Sequence, residues 1–241
     1  MSNKFFDEKE WEKAIKKPDW YFFIVKEYQR LKKLREEISA EDNKNIKKAI
    51  YNFFELHLFA EDIILGNIGK NFDKERKPID TIVIHHTHNP SGMSPERLSA
   101  ITLVRLYATF YANPYLEDDK EIKGKPIYSG HFRNGKQVFY PYHWIIRTGG
   151  KIERLLSDKE IGWHAGNWDI NCRSVAIVLD NNYENSAPSD EELSSIIKII
   201  KNNYDFVPKE RIFGHREINS KTTCPGNLFI GEWKEKLLEM L

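Results

Sequence analysis

Thr81-Ile82-Val83-Ile84-His85-His86-Thr87-His88 is the stretch from which the rest of the chain is read. Thr81 to Ile84 have the β-branched composition of a buried strand. The run stops in three histidines among four residues, followed by the turn-forming cluster Asn89-Pro90-Ser91-Gly92. A buried strand ending in imidazoles places nitrogen ligands at the rim of a sheet, where the scaffold is rigid and loops leave room for a substrate. One histidine at a strand end is ordinarily a hydrogen-bonded structural residue. A ligand reading therefore needs matching donors elsewhere in the chain.

Downstream, Ser94-Pro95-Glu96 opens a helix, with Ser as N-cap and Pro in the first turn, that runs to about Ala112 and stops at Asn113-Pro114. Residues 115–137 are charged and turn-rich and read as an irregular loop. Val138 to Arg147 reads as a strand, Ile152 to Leu155 as its hairpin partner after Thr148-Gly149-Gly150-Lys151, and Ser174 to Leu179 as a buried strand. Gly162-Trp163-His164-Ala165-Gly166 is a glycine-flanked loop. Ser189 to Tyr204 and Trp233 to Leu241 read as helices around the short Ile212-Phe213-Gly214-His215. Strands alternate with helices, so the expectation for 71–241 is an α/β domain with a central mixed β-sheet flanked by helices.

Upstream, residues 1–70 form an N-terminal helical segment. Helices are expected over Asp7 to Lys16, from Pro18 to about Ser39, and from the Ser39-Ala40-Glu41-Asp42 break to about Leu65, ended by Gly66-Asn67-Ile68-Gly69. The segment reads as an appendage packed on the following domain, with a partner-binding or targeting module as the sharper alternative. Its lone His57 is expected to be a packed histidine.

The formal net charge of +1 gives no global basic field, so nucleic acid and anionic membrane are not expected partners. No apolar run approaches the roughly 18 residues of a membrane span, so no membrane insertion is expected. Met1 to Trp11 lacks an apolar signal region, which points to cytoplasmic synthesis with action on the cell wall after release left open. Two cysteines, Cys172 and Cys224, are too few for a disulfide framework and are expected as reduced thiols.

Two positions match His85. His215 follows an apolar pair and a glycine, and Cys224 lies nine residues later in a loop. Two imidazoles and a thiolate are a standard three-ligand set for catalytic zinc. From spacing alone, His164 is an equally eligible third imidazole, and Cys224 a plain buried thiol.

Five segments then occur in one order: Ile82-Val83-Ile84-His85-His86-Thr87, Tyr142-His143-Trp144-Ile145-Ile146, Gly162-Trp163-His164-Ala165-Gly166, Gly214-His215-Arg216-Glu217 and Thr222-Thr223-Cys224-Pro225-Gly226. Over about residues 78–232 they resemble the N-acetylmuramoyl-L-alanine amidase type 2 family, which includes a phage lysozyme and the peptidoglycan recognition proteins. The resemblance implies the peptidoglycan recognition protein/amidase type 2 fold and a zinc hydrolase. Its expected reaction cuts the amide between N-acetylmuramic acid and L-alanine of the stem peptide, in cell-wall lysis, turnover or recycling. Its partners are peptidoglycan or muropeptide fragments. Position by position, the zinc ligands fall on His85, His215 and Cys224, and the catalytic residues on Tyr142 and Thr222. His164 matches a catalytic-groove histidine beside the metal. Relatives without the thiol ligand bind peptidoglycan without cutting it, so Cys224 favours an enzyme over a non-catalytic binding module. Relatives active in recycling carry a glutamate where Val178 stands, which leaves His164 or Asp180 as the expected helpers of a zinc-activated water. His86 and His88 are expected beside the ligands or facing solvent, and His131 and His143 as structural.

Overall fold

The computed structural model describes residues 5–116 and 121–241; residues 1–4 of the N-terminal segment and 117–120 of the expected 115–137 loop lie outside these. The chain forms two compact units, Met1–Asn71 with Pro95–Phe139, and Phe72–Ser94 with Tyr140–Leu241. In chain order the strands are β1 Thr81–His86, β2 His131–Arg133, β3 Lys136–Val138, β4 Trp144–Ile146, β5 Ile152–Arg154, β6 Ser174–Leu179 and β7 Ile212–Gly214.

The first unit begins with helices α1 (Glu8–Ile15), α2 (Trp20–Leu34) and α3 (Ala40–Ala60). Asp7 and Ser39 cap α1 and α3 by accepting from the Glu10 and Asp42 amides, supplying partners for otherwise orphaned donors. Pro18 lies in the turn before α2 rather than in its first turn. Helix α3 ends at Ala60, short of the glycines that were expected to stop it: Glu61 takes the left-handed conformation at φ 61°, and the Asp62 amide bonds back to the His57 carbonyl. Edge-to-face rings hold these helices together, with Trp11 5.9 Å from both Phe53 and Phe54. Helix α4 (Pro95–Thr102) passes through a π-helical turn, Leu103–Ala108, into α5 (Thr109–Tyr111).

The expected irregular loop contains a hairpin. Strands β2 and β3 pair with His131 opposite Val138 and Arg133 opposite Lys136, joined by Asn134-Gly135. Both loop residues have positive φ, 51° and 77°, as a type I′ turn demands. Val138 therefore belongs to this hairpin, and the expected long strand reduces to β4, after Pro141.

The second unit is built on a five-stranded sheet in the order β5-β4-β6-β1-β7, parallel throughout except for the β4–β5 hairpin. This is the expected mixed α/β sheet. Its helices are α6 (Trp168–Arg173), α7 (Asp190–Asn203), α8 (His215–Ile218) and α9 (Lys234–Met240). Helix α6 was not expected; Asn167 caps it by accepting from the Ile170 amide. Ser189 and Glu192 form the capping box that opens α7.

Alternation along the strands sorts the two faces. Ile82, Ile84, Val175, Ile177 and Leu179 join Leu193, Ile196 and Ile200 of α7 and Leu237 of α9 in the core. The residues between them, Val83 and His85 on β1 and Ser174, Ala176 and Val178 on β6, face the other side. Among the described residues, no helix is long and apolar enough to cross a membrane.

Candidate metal centre

Parallel register assembles the site. Ile84 of β1 pairs with Gly214 of β7, so the next residues along, His85 and His215, emerge side by side. Their ring centroids are 4.7 Å apart. Cys224 arrives from the loop after α8, which is tied down by the Arg216 amide donating to the Cys224 carbonyl at 2.7 Å. The Cys224 Sγ lies 3.7 Å from His85 Nδ1 and accepts from the His86 amide at 3.4 Å. One donor atom from each of His85, His215 and Cys224 lies within 4.8 Å of the other two.

The loop is shaped by Gly226, whose φ is +127° and where an added Cβ would sit 1.9 Å from the Tyr183 carbonyl oxygen. Gly226→Ala is expected to cost about 1–3 kcal/mol through backbone conformation alone, with further loss from displacing that carbonyl. Thermal denaturation of the variant measures this directly.

The electrostatics suit a cation. Burial lowers the proton affinity of His85, assisted by its neighbours His215 and His164; burial likewise lowers that of His215. Both rings are therefore neutral and able to offer a lone pair. Burial also pushes the Cys224 thiol up to about 12. A divalent cation reverses that preference, because the thiolate is its ligand. His215 Nε2 is a buried nitrogen with no hydrogen-bond partner. An orphaned buried nitrogen beside a thiol and a second imidazole is the donor set zinc takes with an open fourth position.

A second histidine cluster, His86, His88 and Glu184, also places its ligand atoms within 4.8 Å. Its hydrogen bonds argue against a metal. The Tyr183 amide donates to His86 Nδ1 at 2.9 Å, so the neutral ring carries its proton on Nε2. Burial brings the pKa of His86 down to about 4. Glu184 accepts from the Thr223 hydroxyl at 2.9 Å and from the Asn227 amide at 3.3 Å. His86 thus supports Cys224 through its backbone amide, while the His88 side chain is 64% exposed.

The other sequence-expected residues are placed as follows. The Tyr142 ring lies 5.0 Å from that of His85, centroid to centroid, and is half-buried. The Thr222 hydroxyl accepts from the Cys224 amide at 3.2 Å, which leaves its own proton to donate. His164 Nδ1 lies 3.0 Å from His85 Nε2, and His164 Nε2 lies 3.0 Å from the Ser174 hydroxyl, so both its nitrogens are engaged. Asp180 is fully buried, paired with Arg147 at 2.8 Å, and accepts from the Gly92 and Met93 amides. These partners make Asp180 a brace of the strand ends. Val178 pairs with His85, so the strand beside that histidine is apolar there and offers no carboxylate. His143 is structural: its Nδ1 accepts from the Ala176 amide and its Nε2 donates to the Glu160 carbonyl. Cys172 and Cys224 are both free and buried. In the sequence Ser174 carries no signal beyond a hydroxyl opening an apolar strand.

The chain matches a family model described as N-acetylmuramoyl-L-alanine amidase (Amidase_2) over residues 75–227. The 1,6-anhydro-N-acetylmuramyl-L-alanine amidase AmpD of Haemophilus influenzae is 25% identical over 178 residues, 69% of this chain and 86% of that protein. Among solved structures, the endolysin N-acetylmuramoyl-L-alanine amidase LysCS from Clostridium intestinale is 19% identical with a TM-score of 0.46, over 73% of this chain and 91% of that one. Drosophila PGRP-LB is 17% identical with a TM-score of 0.39, over 70% of this chain and 88% of that one.

Proposed function

The chain belongs to the N-acetylmuramoyl-L-alanine amidase family, and from that premise we propose that His85, His215 and Cys224 hold zinc in an enzyme that hydrolyses the bond between N-acetylmuramic acid and L-alanine of the stem peptide. The observation that carries the reading is the convergence of those three donors within 4.8 Å. The similarity to AmpD supports the substrate class, a muramyl-L-alanine amide.

When bound, zinc polarises an amide carbonyl and activates water at neutral pH. The chain's own residues do the rest. His85, His215 and Cys224 would hold the cation at the rim of the sheet. Attack on the amide puts negative charge on the former carbonyl oxygen, and hydroxyl donors aimed at that oxygen contribute roughly 3 kcal/mol each. Tyr142, beside the His85 ring, and Thr222, beside Cys224, are the assigned donors. His164 orients His85 and does not exchange a proton with substrate, because both its nitrogens are already engaged.

Tyr142→Phe is expected to leave zinc affinity unchanged and lower kcat about 100-fold. Unaltered turnover would remove Tyr142 from the machinery. The reading as a whole is tested by mass spectrometry of purified peptidoglycan incubated with the zinc-loaded protein. Stem peptides with a free L-alanine N-terminus are the expected product. Retention on peptidoglycan without released peptide would identify a binding module instead.

A further inference from the structure

We infer that Ser174 and His164 are positioning residues that fix His85 in the tautomer with a bare Nδ1, the form that can receive a cation. This rests on the metal-site reading above and adds to it the groups that prepare the ligand.

The direction of each hydrogen bond follows from the one at its far end. Ser174 Oγ lies 2.6 Å from the Ile170 carbonyl oxygen, at the end of α6. A carbonyl only accepts, so the serine proton points at it and Oγ is left as an acceptor. His164 Nε2, 3.0 Å from that oxygen, must then carry a hydrogen. His164 is buried, with a second imidazole and a hydroxyl as its ring partners and no anion among them, so the ring is neutral: it has one hydrogen, and its Nδ1 is bare. His85 Nε2, 3.0 Å from that bare nitrogen, must in turn carry the hydrogen of the pair. The neutral His85 ring is left with a free lone pair on Nδ1, the atom that lies 3.7 Å from Cys224 Sγ.

Reversing all the protons places two oxygen lone pairs against each other at 2.6 Å between Ser174 and Ile170. It also puts a hydrogen on His85 Nδ1, where the ion would bind. The order of protons is therefore set at the Ile170 carbonyl, in the last turn of a short helix, and delivered through two side chains. A ligand prepared this way does not have to change tautomer before binding, which is the usual role of groups hydrogen-bonded to a metal-bound histidine.

Long-range 1H–15N spectra of the metal-free protein, labelled at histidine, read the tautomer without reference to activity. The expected result is His85 protonated at Nε2 and bare at Nδ1. In Ser174→Ala a second His85 form with Nδ1–H is expected, together with a 10–100-fold loss of zinc affinity measured by competition with a chromogenic chelator. Wild-type His85 carrying its hydrogen on Nδ1 overturns the inference, whether or not the alanine variant folds. So does a folded Ser174→Ala protein with unchanged tautomer and affinity. The expected tautomer in a protein that releases no stem peptide would retire the amidase reading and leave this one standing.

Discussion

Cys224→Ser is expected to give a folded protein that does not retain zinc through dialysis and releases no stem peptide from peptidoglycan. A serine hydroxyl stays protonated at neutral pH and offers a hard, neutral oxygen in place of a soft anionic sulfur. The remaining pair, His85 and His215, cannot hold a cation against solvent as three ligands do. The loss of affinity should therefore exceed the 10–100-fold that a supporting residue costs. The loop itself should survive, because it is held by backbone bonds: the Arg216 amide to the Cys224 carbonyl, and the Gly226 amide to the Thr223 carbonyl at 2.8 Å. Metal content by atomic emission and the product assay on the same preparation check both halves. A zinc-replete, active Cys224→Ser protein would mean that the thiol is a packed bystander.

Arg147→Met is expected to lower stability by about 3–5 kcal/mol, or about 6–20 °C in Tm for a chain of this size. Arg147 donates to Asp180 and to the Met93 carbonyl through one nitrogen, and to Glu153 through two others at 3.3 and 3.0 Å. The side chain of Asp180 is 1% exposed. Without the guanidinium, that carboxylate stays buried with only the Gly92 and Met93 amides. The double variant Arg147→Met/Asp180→Leu should recover part of the loss, since replacing both members of a buried pair removes the uncompensated charge. An acid limb accompanies this. The Arg147 hydrogen bond holds the Glu153 carboxyl below its ordinary 4.5. That contribution is present in full above about pH 4.5 and is lost as the pH falls through the lowered value. Urea titrations at pH 7 and pH 3.5 should show a smaller pH dependence in Arg147→Met than in the parent.

The parts of the molecule that local pattern encodes were legible. The β-branched run Thr81–Ile84 and the apolar run Ser174–Leu179 announced the two central strands, and Ser189 with Glu192 sits at the start of α7. The Asn134-Gly135 turn is equally local, but its flanking strands of three residues each are too short to show an alternating pattern. Glu61 ending α3 was not readable, since a left-handed cap is expected of glycine and here a glutamate takes it, with the Asp62 amide bonded back to the His57 carbonyl. The site divides in the same way. His85 stood out at the end of its strand, but its nearness to His215 depends on the parallel register of β1 and β7, which no sequence spacing contains. The resemblance to known amidases, not the spacing, separated His164 from the ligand set. The role of the Ser174 hydroxyl depends on the Ile170 carbonyl behind it, a contact that only the folded chain makes.

The first unit takes residues 95–139 from the middle of the chain, and helix α3 packs there against α4. An engineer looking for a minimal catalytic fragment would be drawn to a cut at residue 70. That cut strips α4 of α3 and the π-helical turn after it of α2, the helices they pack against. Loss of activity in such a fragment would report on that lost packing, not on a targeting role of the helices removed. Point substitutions on the outer faces of α1 to α3 are the cleaner way to ask whether those helices bind a partner.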